Sequence, residues 1–161
     1  MLHQIFKMGI SEDLKQNKFN SPTSKAVVNI IYTGNWMMQQ THDLLKPYGL
    51  TPQQYNVLRI LRGQQNNPIT VLGITERMMD KMSNASRLVD KLLEKKLVLR
   101  RECPKDRRAV DIIILPAGLS LLEEIDVVQN RWEKNFQGID PVKMGQLNEL
   151  LDEFRNVFTN N

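Results

Sequence analysis

The sequence predicts a mainly α-helical protein with one small β-hairpin set between two groups of helices. Two observations carry this reading. Apolar residues recur at helical spacing through most of the 161 residues, and the period falls toward two only between Val98 and Leu115. There, β-branched residues gather on either side of a charged, proline-bearing stretch, the pattern of a hairpin. Hydrophobic residues make up 41% and charged residues 25% of the chain, values of an ordinary globular protein, so a single domain over 1–161 is expected. No apolar run reaches the ~18 to 20 residues of a membrane span. The first residues also lack the apolar stretch and small-residue cleavage site of a secretory leader. The single cysteine, Cys103, cannot form an internal disulfide and fits a reducing cytoplasm. His3, His42 and Cys103 are too scattered for a metal site, and no cofactor is expected.

The first twenty residues hold Leu2, Ile5, Phe6, Ile10 and Leu14 at loose spacing, compatible with a short helix or an arm. Ser21 and Pro22 punctuate the chain, and Thr23 or Ser24 is expected to cap the helix that follows. Val27, Ile31, Gly34, Met38 and Leu45 carry that helix to about Lys46, where Pro47 and Gly49 stop it. A second start follows at once. Thr51 is the expected N-cap, Pro52 takes the first helical position, Gln54 completes a capping box, and Leu50 can pack on Tyr55. Leu58 and Leu61 extend this helix to about Arg62, and 63–68 reads as a loop. A shorter helix over about 70–79 buries Val71, Ile74 and Met78.

The fourth helix has the sharpest pattern. Ala85, Leu88, Val89, Leu92 and Leu93 form one continuous apolar stripe, with Ser83 as the expected N-cap. The opposite face holds Asn84, Arg87, Lys91, Glu94 and Lys95, with Ser86 near the border. Strands are expected over 98–102 and 110–115, joined by a loop over 103–109 and ended by Pro116 and Gly118. Two helices close the chain. One carries Leu121, Leu122, Ile125, Val128, Trp132 and Phe136. The other carries Met144, Leu147, Leu151, Phe154 and Phe158, with Asp140 as cap and Pro141 at its first position.

Charge is distributed unevenly. Residues 87–108 hold nine basic and four acidic side chains, a net +5, whereas 109–161 hold four basic and nine acidic, a net −5. Three helices followed by a hairpin, with the third helix basic and amphipathic, form a winged helix-turn-helix pattern. Such a helix presents its N-terminal residues to base edges in the major groove, here Ser83, Asn84, Ser86 and Arg87. Arginine pairs with guanine and asparagine with adenine, and serine is adaptable. Lys91 and Lys95 are placed for phosphates. At the hairpin tip Lys105, Arg107 and Arg108 suit a narrow, electronegative minor groove, and Asp106 can orient an arginine by a charge-assisted hydrogen bond.

From Leu44 to Leu122 the chain resembles the multiple-antibiotic-resistance regulator (MarR) family of bacterial transcription factors. The matching stretches are Gly49 to Gln54 with Leu58, Ser86 to Leu92, and Pro104 to Val110. The resemblance implies a cytoplasmic, sequence-specific DNA-binding regulator, a repressor, that grips a pseudo-palindromic operator as an obligate homodimer. Helices over 21–47 and 117–159 would interlock two chains, and 51–115 would form the winged-helix lobe. It also implies Arg108 in the minor groove, with Arg107 nearer a phosphate. Two departures stand out. Met79, Asp80 and Lys81 occupy a turn that usually carries glycine, and Pro116 stands where a threonine usually opens the next helix.

The resemblance places a pocket for a small lipophilic or aromatic effector between dimer and DNA-binding regions. Tyr32, Trp36 and Tyr55 are its candidates, with Met37, Met38 and Trp132 nearby; core and dimer packing is the competing reading. His42 reads as a helix-surface or interface residue rather than a sensor. Cys103 sits among cations that favour a thiolate, yet the family's peroxide-sensing branch keeps its reactive cysteine in the first long helix, and 23–47 contains none. No phosphate loop, metal cluster or nucleophile–base pair supports an enzyme. The alternative is a winged-helix protein-interaction module without DNA binding, which would show exposed aliphatic or aromatic anchors on the fourth helix.

Overall fold

The structure, a computed structural model, describes residues 9–16, 18–65, 67–103 and 106–157, with the backbone alone for 102, 103 and 106–109. The chain falls into two compact units, divided between Tyr55 and Asn56. In the first, α1 (Ile10–Asp13) precedes the long α2 (Pro22–Leu45). The N-cap of α2 is Ser21, not Thr23 or Ser24: its hydroxyl accepts the Ser24 N–H at 3.0 Å. Pro22 then sits at the first helical position, where its missing N–H costs nothing. A 3-10 turn (Lys46–Tyr48) follows and ends on Gly49, whose φ of 63° is left-handed and favours a residue without Cβ. Thr51 and Gln54 form the expected capping box before α3 (Pro52–Gly63), each backbone N–H donating to the other's side-chain oxygen at 3.2 Å.

The second unit continues through β1 (Ile69–Thr70), α4 (Val71–Arg77), α5 (Ala85–Glu94), β2 (Val98–Cys103), β3 (Asp106–Ile114), α6 (Pro116–Glu133) and α7 (Pro141–Asn156). A further 3-10 turn, Lys134–Phe136, extends α6. The sheet runs β1-β3-β2, all antiparallel. Its buried side chains, Ile112 and Ile114 on β3 and Val98 on β2, belong to the same core as Leu58, Leu61, Ile74, Met78, Val89, Leu92, Leu122 and Ile125. Arg62 grips Asp126 with two hydrogen bonds of 2.6 and 3.2 Å, tying α3 to α6. Asp111 is buried on the central strand with the Arg101 guanidinium 3.9 Å away on β2. Among the described residues no helix is long and apolar enough to cross a membrane.

The hairpin differs from expectation. Its strands reach 103 and 106, because Cys103 pairs with Asp106, so residues 104–105 alone separate them. Glu102 pairs with Val110, which leaves 107–109 in a break of register on β3. An outer hairpin need not bury its end, so charged residues continue the ladder that β-branched residues began. The two-residue β1 was not anticipated either, since alternation has no meaning over so short a run.

α6 starts where β3 stops. The Leu115 N–H donates to the Leu97 carbonyl at 2.9 Å, and Pro116 takes the first helical position. Gly118 passes so close that a Cβ there would lie 2.5 Å from the Leu97 carbonyl oxygen and 2.8 Å from Ile114 Cγ1. Gly118→Ala is therefore expected to destabilise the protein by about 1–3 kcal/mol through overpacking against backbone. Thermal unfolding should show a fall of several degrees, and an unchanged midpoint would contradict this packing.

Candidate nucleic-acid interface

The segment between α4 and α5 decides how α5 is presented. Met78 is buried and closes α4, its N–H donating to the carbonyls of Ile74 and Thr75. Beyond it the chain leaves the helix and is fixed by side chains. The Met79 N–H donates to Asn56 Oδ1 of α3 at 2.9 Å. The Asp80 carboxylate accepts the Met82 N–H at 3.0 Å and the Ser83 hydroxyl at 2.7 Å. Lys81 Nζ reaches back to the Glu76 carbonyl at the end of α4. None of these residues has a left-handed backbone, so the glycine usual at this turn is not required here. An aspartate that bonds its own backbone two residues on builds the turn instead.

The N-cap of α5 is Asn84, not Ser83. Asn84 Oδ1 accepts the Arg87 N–H at 3.0 Å, while the Ser83 hydroxyl is committed to Asp80. Ser83 is consequently half-buried, and Asn84 offers its amide nitrogen rather than its oxygen. Ser86 and Arg87 are exposed in the first turn. Among the described residues Arg87 makes no side-chain hydrogen bond or ion pair. Further along, Lys91 Nζ lies 2.9 and 3.0 Å from the two Glu94 carboxylate oxygens, and Arg100 of β2 bonds Asp90 at 2.8 Å. Lys95 is exposed at the C-cap. Glu94 therefore neutralises Lys91 and Arg100 neutralises Asp90, while at the N-terminal end Arg87 adds to the positive end of the helix dipole. These pairs are exposed and of small worth, so a stronger anion can displace the carboxylates.

Lys105 lies outside the described residues. Asp106, Arg107 and Arg108 are described as β3 backbone, the two arginines in the break of register, and their side chains lie outside the description, as does that of Cys103. In the first unit, Tyr32 and Trp36 line an open recess of about 250 Å³ together with Asp13 and Thr33. Tyr55, the third candidate for a pocket, is half-buried and does not line it. Trp132 packs edge-on against Phe136, ring centres 4.9 Å apart. His42 is exposed beside Asp43, whose carboxyl is held below its usual pKa by the Gln39 amide and by His42. Sequence reasoning missed Asn56, Asp80 and the two exposed methionines Met79 and Met82. The Asp-x-x-Ser spacing of 80–83 was the available sign for the turn.

Residues 50–110 match the MarR family. Over that stretch the chain is similar to MarR-family proteins. MarR proteins are transcriptional regulators, not enzymes. The chain is 27% identical to the HTH-type transcriptional repressor IacR of Pseudomonas putida, over 75% of this chain and 72% of the relative. It also resembles the crystal structure of a MarR transcription factor from Planctomyces limnophilus, with a TM-score of 0.62 and 29% identity over 84% of this chain and 98% of the other. The S. aureus MepR–DNA complex has the same fold, with a TM-score of 0.72 and 18% identity over 86% and 99%.

Because Asp80 replaces a glycine as the organiser of the turn, Asp80→Ala is expected to cost about 1 kcal/mol. Asp80→Asn, which keeps an acceptor for the Met82 N–H, should lose less. Equal melting temperatures for all three proteins would show that the carboxylate does not hold the turn.

Proposed function

We propose that this chain is a MarR-family repressor that binds a pseudo-palindromic DNA operator as a homodimer, each α5 entering a major groove. The observation that carries the reading is Arg87. It is an arginine in the first turn of a basic amphipathic helix, without an intramolecular partner among the described residues, on a turn fixed by Asp80 and Asn56. The solved MepR–DNA complex supports it by fold. On this reading Ser86, Asn84 and Ser83 flank the base edges, Lys91 and Lys95 meet phosphates, and the hairpin brings Lys105, Arg107 and Arg108, with Asp106, to the minor groove.

Unburied apolar faces support the dimer. On α2, Val27, Ile31 and Met38 are exposed on one face, and α7 has no buried residue while exposing Leu147 and Leu150. The helices over 21–47 and 117–159 would cover these faces by interlocking with a second copy, leaving 51–115 as the DNA-binding lobe. Tyr32 and Trp36 lie on a different face of α2, since at 100° per residue they are turned well away from Ile31. We place a small lipophilic or aromatic effector in their recess; Asp13 in its wall favours neutral or cationic compounds over acids.

The test is fluorescence anisotropy with duplexes selected from a random pool by the wild-type protein, in parallel with unselected DNA. The wild type should prefer the selected duplex and bind it as two chains per site. Arg87→Ala should weaken that complex by about 1–3 kcal/mol and relax preference at one base pair in each half-site. Equal affinity of the wild type for both duplexes would reject sequence-specific recognition, and an equal loss by Arg87→Ala on both would make Arg87 a phosphate contact.

A further inference from the structure

Three methionines stand within five positions, and the structure treats them in opposite ways. Met78 is 1% exposed and belongs to the core, whereas Met79 is 86% and Met82 93% exposed. Neither outward methionine lies on a frayed segment. The backbone N–H of Met79 is bonded to Asn56 and that of Met82 to Asp80, so a fixed turn holds both thioethers outward. Lys81 between them bonds the Glu76 carbonyl. A scattered exposed apolar residue is ordinary, but two nearly fully exposed side chains on one pinned turn, with no apolar neighbour covering them among the described residues, signal a contact surface.

The turn leads directly into α5, with Met82 two residues before the N-cap Asn84 and five before Arg87. The end of α5 where Arg87 adds to the helix dipole is therefore the end that carries the methionines. A protein partner that matched the thioethers would also have to neutralise Arg87 and the helix N-terminus, while duplex DNA supplies both needs. Its phosphates answer the charge, and its major groove shows one apolar group, the C5-methyl of thymine. Methionine, unbranched and polarizable, adapts readily to such a small target.

We infer that Met82, with Met79 beside it, is a specificity-determining residue that packs on thymine methyl groups at the edge of each half-site. This rests on the proposed DNA reading and extends it from hydrogen-bonded bases to an apolar contact. Covering one methyl group is worth about 0.8 kcal/mol, or a factor of about four per half-site.

The experiment uses the full chain and a duplex selected by the wild type, with thymines replaced singly by deoxyuridine, which removes the methyl and keeps the pairing. At one or two thymines per half-site the wild type should lose affinity about three- to fivefold. Met82→Gln, which alters both half-sites of the dimer, should lose about the square of that factor on the thymine duplex and become indifferent to deoxyuridine. Met82→Leu, still apolar, should keep the discrimination. The side chain is exposed, so all three proteins should melt together, which separates recognition from folding. Wild-type binding that ignores every deoxyuridine, or a Met82→Gln protein that discriminates as the wild type does, overturns the inference and leaves DNA binding standing. Failure of the wild type to select any duplex overturns both. Discrimination lost in Met79→Gln alone would move the contact to Met79 and overturn the assignment to Met82.

Discussion

The presentation of α5 depends on one constraint: seven residues between α4 and α5 must turn the chain without a glycine. The structure satisfies this with side chains in place of backbone freedom. Asn56 takes the Met79 N–H from the side of α3, Asp80 takes the Met82 N–H and the Ser83 hydroxyl, and Asn84 caps the new helix. A turn built from several directed hydrogen bonds has a defined shape, so the angle between α4 and α5 is fixed at the point where a ligand would arrive. Met78 anchors one end of this turn in the core and Ala85 the other, both buried. Outward-facing Met79 and Met82 are the counterpart of that arrangement: the backbone is held and the side chains are released.

Charge follows the same logic. The basic excess over 87–108 is not spread evenly across α5 in three dimensions. Glu94 answers Lys91 and Asp90 answers Arg100, so the acidic residues that interrupt the basic stretch each pair with one of its cations. Arg87, without a side-chain partner among the described residues, lies at the helix N-terminus, where a macrodipole already favours anions. On the proposed reading, binding at that end would recruit Lys91 only by breaking an exposed pair, a small cost that a phosphate can offset.

Long periodic elements were legible in the sequence because many residues vote for each. The stripe of α5, the capping box of Thr51 and Gln54, and the Asp140–Pro141 start of α7 all stand where the pattern put them. Shorter decisions were not legible. Ser21 rather than Thr23 caps α2 because the adjacent proline fixes the start, and Asn84 rather than Ser83 caps α5 because Asp80 has already claimed the serine hydroxyl. Both outcomes depend on competition between neighbours, which composition and period do not record. At the candidate site, the exposure of Arg87 could be read from the stripe, but the pairing of Lys91 and the opposite fates of Met78, Met79 and Met82 are tertiary facts. Of the three aromatic residues grouped as a pocket, Tyr32 and Trp36 share a helix face at i and i+4, and Tyr55, on another helix, does not join their recess.

The central claim is that the pinned turn and the first turn of α5 form the surface that meets DNA. Amide hydrogen exchange of the full-length protein, alone and with a selected duplex, tests it most directly. The expected result is that the turn over 79–84 is already protected without DNA, held by Asn56 and Asp80, and that protection rises on binding across 79–91. Exchange at unstructured rates in the free turn would contradict the account of how α5 is held, and binding that leaves 79–91 unchanged would place the DNA elsewhere.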